Sequence, residues 1–482
     1  MRPLASSVLV ASLLLAPGAL SSLSFADGLP DIGDTTSTFM SADEERRRGE
    51  AFMRQIRATL NVIEDPEIVE YVESLGFRLA SSSDSPSQEF TFFVVEDPSI
   101  NAFAAPGGFI GINTGLILAT ETEGELAAVL AHEIAHVTQR HLARAYEAAS
   151  KMSIPTGAAV LAAVILGAQN RQITEAAIVA AAAGSVQSQI NFTRAHEKEA
   201  DRVGIQTLAQ AGFDPRSMPA FFERLQQATR YYDSDLPEFL QTHPVTHARI
   251  ADSMARAETY PGRQDTGRSA YRLVQAKLRV MQSSPAQAIN YFREKLKDAS
   301  AEDTSALRYG YVLALLADSQ LDESRVQLDI LLKDDPERLT YLLALAKHDL
   351  AQGNTAQAVA IHANAFKLFP YNYPLTIRYA EALLQDQQAD RARSLLEEYS
   401  RRKKPTLPLY QLLARAEEAS GQAVNAHQSL AEYYYLIGET VAAIEQLKIA
   451  LKYTDRLSDY QRSRITARRD QFQAVLAQET AR

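Results

Sequence analysis

A fixed step of 34 residues constrains the C-terminal half of this chain more than any other feature. Ser324, Ala358, Ala392 and Ala426 stand 34 apart, and Pro336 and Pro370 keep the same step, with Pro405 one residue further on. Each small residue follows a turn position by five, at Ser319, Gly353, Gln387 and Gly421. A small side chain lets two antiparallel helices approach closely, and a proline closes the second helix. Such a unit cannot bury its apolar face alone, so it must stack on copies of itself. A weaker copy lies at Ser283–Ala288, and Gly438–Ala443 repeats the five-residue step only 17 residues after Gly421. That half-step predicts a helix shared by two registers. Four to five helical hairpins are expected.

The period and pattern resemble the tetratricopeptide repeat, with no tryptophan in the chain and Gln387 where a glycine is usual. The repeats begin near residue 269. At 482 residues the chain is long enough for two to four domains, so a separate unit should precede them.

The upstream half mixes helices and strands. Ser41 with Glu44 three later forms a capping box, predicting a helix to about Ala58. Ile68, Val69, Val72, Leu75 and Leu79 share one face of a helix over 66–80. Phe90–Val95 reads as a strand, and 101–112 as two short strands around Pro106-Gly107-Gly108. A helix is expected over 123–149 and another from about Arg194 to Ala211, closed by Gly212. Before all of this, Met1-Arg2, an apolar run from Val8 to Leu20 and Ser24-Phe25-Ala26 predict a cleavable secretory signal over 1–26. An irregular leader would follow over 27–40. The Ala-rich stretch 152–190 is interrupted too often to span a bilayer, so membrane contact is peripheral at most.

The chemistry sits in His132-Glu133-Ile134-Ala135-His136. Four helical residues rotate by about 400°, so both imidazoles lie on one face and can chelate one ion. Glu133 stands beside them, placed to act as general base. Net charge is −10 and cysteine is absent. No polyanion-binding surface is implied, so nucleic acid is excluded as a partner, and so is thiolate ligation. A third ligand must come from His or a carboxylate elsewhere. Glu197 and Asp201 are four apart on one helical face, and either could ligate while the other orients a histidine. His196 competes with Glu197 for the same role. Glu199 is rotated by about 200° from Glu197 and is expected to face outwards. His141, about 140° off the ligand face if the helix continues, is read as structural. His243, in Thr242-His243-Pro244, is placed at a loop-to-helix junction with Pro244 opening the helix. It is either a capping histidine or a reversible fourth ligand.

HEIAH followed 61 residues later by EKEAD, with INAFAAPGG before and AGFDP and THP after, resembles the M48 gluzincin metallopeptidases. The order of domains is similar to that of a periplasmic group of them. The resemblance implies His132, His136 and Glu197 as ligands of one zinc ion per chain, Glu133 as general base and Asp201 as a supporting acid or proton donor. It favours Glu197 over His196, and it supports His243 as a regulatory fourth ligand. The implied architecture is an α+β zincin-type peptidase domain over 41–256, mostly helical with a small sheet. A linker over 257–268 and an all-α repeat solenoid over 269–482 would follow. The implied function is a periplasmic zinc metalloendopeptidase with chaperone-like activity, acting on unfolded or stalled outer-membrane proteins. Its solenoid would meet the barrel assembly machinery. The rival reading is a non-proteolytic chaperone or adaptor with a latent or vestigial site.

Overall fold

The structure is a computed structural model that describes residues 41–150, 186–229, 237–263, 268–453 and 457–480. The signal and leader expected over 1–40, most of the Ala-rich stretch and part of the linker lie outside the described residues. Helix α1 (Ala42–Thr59) is capped by Ser41, whose hydroxyl accepts from the Glu44 amide. Strand β1 (Val62–Ile63) follows, two residues that no alternation announces. Helix α2 (Pro66–Ala80) starts at Asp65, whose carboxylate accepts from the amides of Glu67 and Ile68. Three further strands, β2 (Thr91–Val95), β3 (Ala102–Ala105) and β4 (Phe109–Asn113), complete a sheet in the order β1-β2-β4-β3. β2 and β4 are parallel and the two outer strands antiparallel, which leaves β3 at an edge.

Helix α3 (Thr114–Ala119) leads into α4 (Glu123–Thr138), buried over almost its whole length. The expected single helix over 123–149 is broken. Arg140 takes a left-handed φ of 53°, and α5 (His141–Ser150) restarts in a new direction. Nothing in Gln139-Arg140 marks the break by composition. It is pinned from outside by Arg140, which donates to Glu45 of α1 at 2.7 Å. Then come α6 (Val186–Gln210), α7 (Ser217–Thr229), α8 (Glu238–Thr242) and α9 (His247–Ala257). Thr246, not Pro244, caps α9, so His243 closes α8 instead of opening the next helix.

Twelve helices follow among the described residues, more than four to five hairpins need: α10 (Arg268–Met281), α11 (Pro285–Lys297), α12 (Ala301–Ala317), α13 (Leu321–Asp334), α14 (Leu339–Ala351), α15 (Thr355–Leu368), α16 (Tyr373–Gln385), α17 (Ala389–Ser400), α18 (Leu407–Ala419), α19 (Ala423–Leu436), α20 (Thr440–Lys452) and α21 (Asp459–Thr480). Five of the turn positions read from the sequence adopt left-handed φ, Ser319 58°, Gly353 82°, Gln387 59°, Gly421 73° and Gly438 87°, whereas Ser283 of the weaker copy does not. The small residues five later, Ser324, Ala358, Ala392, Ala426 and Ala443, are at most 1% exposed. Helix α19 lies between the Gly421 and Gly438 turns and packs on both α18 and α20, as a helix shared by two registers must.

The solenoid does not stand apart. Helix α10 puts Tyr271, Val274 and Leu278 into the upstream core, and Leu273 and Ala276 into the first solenoid core. Helices α10 and α16, each the first of a pair, grip α2. Lys277 of α10 pairs with Asp65 at 2.8 Å and also with Glu67. Arg378 of α16 reaches Asp65 at 2.7 Å, and Asn372 donates to Glu70 at 2.8 Å. Burial alone would raise the Asp65 carboxyl, but Lys277 and Arg378 hold it below the usual carboxylate range. The solenoid face that α10 and α16 share is therefore partly filled by α2. No helix among the described residues is long and apolar enough to cross a membrane.

Left-handed backbone costs a non-glycine residue roughly 1–2 kcal/mol, partly offset by glycine's greater freedom when unfolded. Gln387 is exposed, so its side chain gives little in return. Gln387→Gly should raise stability by about 0.5–1 kcal/mol, read as a higher urea midpoint at unchanged slope. A lower midpoint would contradict the turn assignment.

Candidate metal centre

The centre forms where α4 meets α6. The helices touch through Ala135, Ala200 and Val203, a small-residue contact that permits close approach. Gly204 deepens it: a Cβ there would lie 3.2 Å from the backbone nitrogen of His132. The ligand face of α4 is thus turned onto Glu197 and Asp201, both nearly fully buried. Helix α8 closes the third side. Its Phe239 is fully buried, stacks on the His243 ring at 4.9 Å and donates its amide to the Ile100 carbonyl at 3.0 Å. Ser99 adds a hydrogen bond to Glu238 at 3.0 Å.

One donor atom from each of His132, His136, Glu197 and His243 lies within 4.8 Å of the others. The His136 and His132 Nε2 atoms are 3.1 Å apart. Glu197 places its carboxylate 3.3 Å from His136 Nε2, 3.4 Å from His132 Nε2 and 3.0 Å from His243 Nδ1. Lone pairs crowded this closely repel one another unless a cation sits among them. His196 is not in the group; its ring stacks on His141 at 4.2 Å. Glu199 does not face outwards as its helical angle suggested. It turns back to His141 Nε2 at 3.0 Å and Arg144 at 2.9 Å. His247 is exposed.

Around the donors lies a buried charge network. Asp201 is 3.0 Å from His132 Nδ1. Arg249 of α9 holds Asp201 with two hydrogen bonds of 2.7 Å and reaches Glu197 at 2.8 Å. It also donates to the Pro244 carbonyl at 2.9 Å, tying the His243 turn to the same guanidinium. Burial would raise both carboxyls, yet His243, His132 and His136 pull Glu197 well down, and Arg249 and His132 pull Asp201 down. Burial would lower His132, but hydrogen bonds and charge from Asp201 and Glu197 push it up to about 10. Burial instead takes His136 down to about 4. The pocket therefore favours a positive charge at its centre, from a proton or from a metal ion. Two imidazoles and a carboxylate suit a borderline divalent cation, so the residues fit a metal.

Glu133 is fully buried, and burial raises its carboxyl above the usual range. The Ala104 backbone of β3 faces it and offsets part of that rise. Its Oε1 has no hydrogen-bond donor among the described residues and lies 3.5 Å from His243 Nε2. A proton acceptor thus stands between the donor cluster and the sheet edge. The sequence reading missed the involvement of Arg249, His141 and Arg144. For His141 and Arg144 the missing signal was the break at Arg140.

The description "Peptidase family M48" matches residues 66–257, and "Tetratricopeptide repeat" matches 349–416. A putative beta-barrel assembly-enhancing protease of Vibrio cholerae is 37% identical over 92% of this chain and 92% of its own. The beta-barrel assembly-enhancing protease of Escherichia coli is 34% identical over 97% of this chain and 96% of its own. A mitochondrial metalloendopeptidase OMA1 of Schizosaccharomyces pombe is 29% identical over 37% of this chain and 50% of its own.

Ligation requires neutral imidazoles, so a metal must displace protons. With His132 pushed up to about 10 and His136 down to about 4, only His132 of this pair is a doubly protonated, charged imidazolium near neutral pH. Binding at about pH 7.5 should release about one proton, measured by calorimetry in buffers of different ionisation enthalpy. The Glu133→Gln chain removes any contribution from that carboxyl. No release would contradict the charge balance described.

Proposed function

Because this chain belongs to peptidase family M48, we propose that it is a periplasmic zinc metalloendopeptidase of outer-membrane protein assembly. The observation that carries the reading is the convergence of His132, His136 and Glu197 beside a Glu133 that faces the sheet edge. His132, His136 and Glu197 would hold one zinc ion per chain. Bound there, the ion supplies Lewis acidity for a peptide carbonyl and for water. Glu133 takes the proton from water and passes it to the leaving amine. Its raised carboxyl suits it to return the proton as well as to take it. Asp201, 3.0 Å from Nδ1 of His132, favours a proton on that nitrogen and so leaves Nε2 for the ligand cluster, while Arg249 keeps Asp201 ionised. β3, at the edge of the sheet, would take extended substrate by strand addition, which gives affinity through backbone pairing without demanding a sequence.

His243 is read as a fourth ligand that closes the site. Its Nδ1 stands 3.0 Å from Glu197 and 3.3 Å from His132, inside the donor group. A zinc site with four protein ligands has no place for water, and one with three does. Unfolded or stalled outer-membrane proteins are the proposed substrates, and the barrel assembly machinery the proposed partner of the solenoid. Among relatives over nearly the whole chain, the printed names are those of beta-barrel assembly-enhancing proteases. Residues 1–26 would direct export and be removed.

Glu133→Gln should keep zinc and fold while cleavage of an unfolded barrel protein falls by about 10²–10⁴. Undiminished cleavage would remove Glu133 from the chemistry. If zinc is bound but neither chain cleaves, while unfolded barrel proteins still bind, the adaptor reading takes over. His243→Ala should raise the initial rate on an unstructured substrate, since it opens the site. A lower rate at full zinc occupancy would end the latency reading.

A further inference from the structure

We propose that His141 is a positioning residue for His136, linking it through Glu199 to Arg144 and so fixing which nitrogen of His136 faces the metal. The inference rests on His136 being a ligand through Nε2, the atom that faces the donor cluster.

The geometry allows one hydrogen-bond assignment. A neutral imidazole has one N–H and one lone pair. If Nε2 of His136 gives its lone pair to the metal, the proton sits on Nδ1. That atom is 3.0 Å from Nδ1 of His141. His141 must therefore accept there, which puts its own proton on Nε2. This second nitrogen lies 3.0 Å from Oε2 of Glu199, an acceptor. Arg144 donates to the same oxygen at 2.9 Å and holds Glu199 in place. Every group in the chain has one role, and reversing any hydrogen bond breaks the next. The His196 ring, parallel to His141 within 6°, keeps the His141 plane from turning.

The other ligand imidazole has a counterpart. His132 Nδ1 is 3.0 Å from Asp201, which is held by Arg249. Both ligands are thus backed by an acceptor and an arginine, but His136 reaches its carboxylate through a second imidazole. That extra ring bridges a gap the helix cannot: Glu199 is on the side of α6 away from the donors, and α5 restarts after Arg140 so that His141 fills the space. Partners behind a ligand histidine commonly set metal affinity by a factor of about 10–100.

Two substitutions give opposite orders under positioning and under packing. His141→Phe fills nearly the same space with no acceptor. His141→Asn leaves a gap but keeps an oxygen near the position of Nδ1. The zinc dissociation constant, read by competition with a chromogenic chelator, should rise by about 10–100-fold for Phe and by less for Asn. The melting temperatures of the metal-free chains control for fold. A packing role predicts the reverse, Phe close to wild type and Asn worse, and that order overturns the proposal. Should the Phe chain not fold, Glu199→Leu, at a partly exposed position, takes its place. Positioning then predicts weaker zinc binding for it, and an unchanged constant overturns the proposal. Two-bond proton–nitrogen NMR of the zinc-loaded wild type should find the His136 proton on Nδ1; a proton on Nε2 also overturns it. His136→Arg separates the premise from the inference. If that chain still binds zinc, the ligand reading fails. If it loses zinc while every His141 and Glu199 variant binds normally, only the proposal fails.

Discussion

The site depends on the contact between α4 and α6. Neither helix carries a complete ligand set. The two meet closely because Ala135, Ala200 and Gly204 leave little side chain between them. That contact brings the carboxylates of Glu197 and Asp201 out of water and onto two imidazoles. Ionised groups are costly to bury unless paired, by several kcal/mol each in real proteins. Arg249 offsets part of this charge, and the high affinity of His132 for a proton shows that more positive charge is favoured there. The same imbalance that burdens the metal-free fold is what a divalent cation would relieve. Metal binding and the packing of these helices are therefore one equilibrium.

Around this contact, α1 and α2 join the peptidase to the solenoid. Helix α2 lines the upstream core on one side and offers Asp65, Glu67 and Glu70 to the solenoid on the other. Helix α1 packs on the turn between β3 and β4, and its Arg54 pairs with Glu479 of α21 at 3.0 Å. Gly438 fits because a Cβ there would press on the Arg54 carbonyl at 2.9 Å. The edge strand and the last helix of the chain thus share one intermediary. The far end of the solenoid is thereby in contact, through α1, with the turn beside β3.

What the sequence revealed and what it hid follow from the range of the interactions. The repeat phase was legible because turn, small residue and helix lie within a few residues of one another. Even Ser319 and Gln387, poor residues for a left-handed turn, were found by spacing alone. The pair His132 and His136 was legible because helical geometry fixes it. Which residue joins the two imidazoles in the donor group was not decided by residues alone, since His196 and Glu197 are neighbours and only the roll of α6 separates them. His141 was misplaced because the argument extrapolated a straight helix through Arg140, and Glu199 because the restarted α5 covers the side of α6 on which it lies. The break at Arg140 has no glycine or proline, and the contact that holds it reaches back to Glu45. The filling of the solenoid face by α2 was invisible for the same reason: Asp65 and Arg378 are 313 residues apart in the chain.

The central claim is that His132, His136 and Glu197 surround one zinc ion. Anomalous diffraction at the zinc edge from crystals of the zinc-loaded Glu133→Gln chain tests it directly. The account predicts one strong peak, about 2.0–2.2 Å from Nε2 of His132, Nε2 of His136 and a Glu197 carboxylate oxygen. A peak held by His141 and His196 instead, or none at α4 in a chain shown to carry zinc, would contradict it.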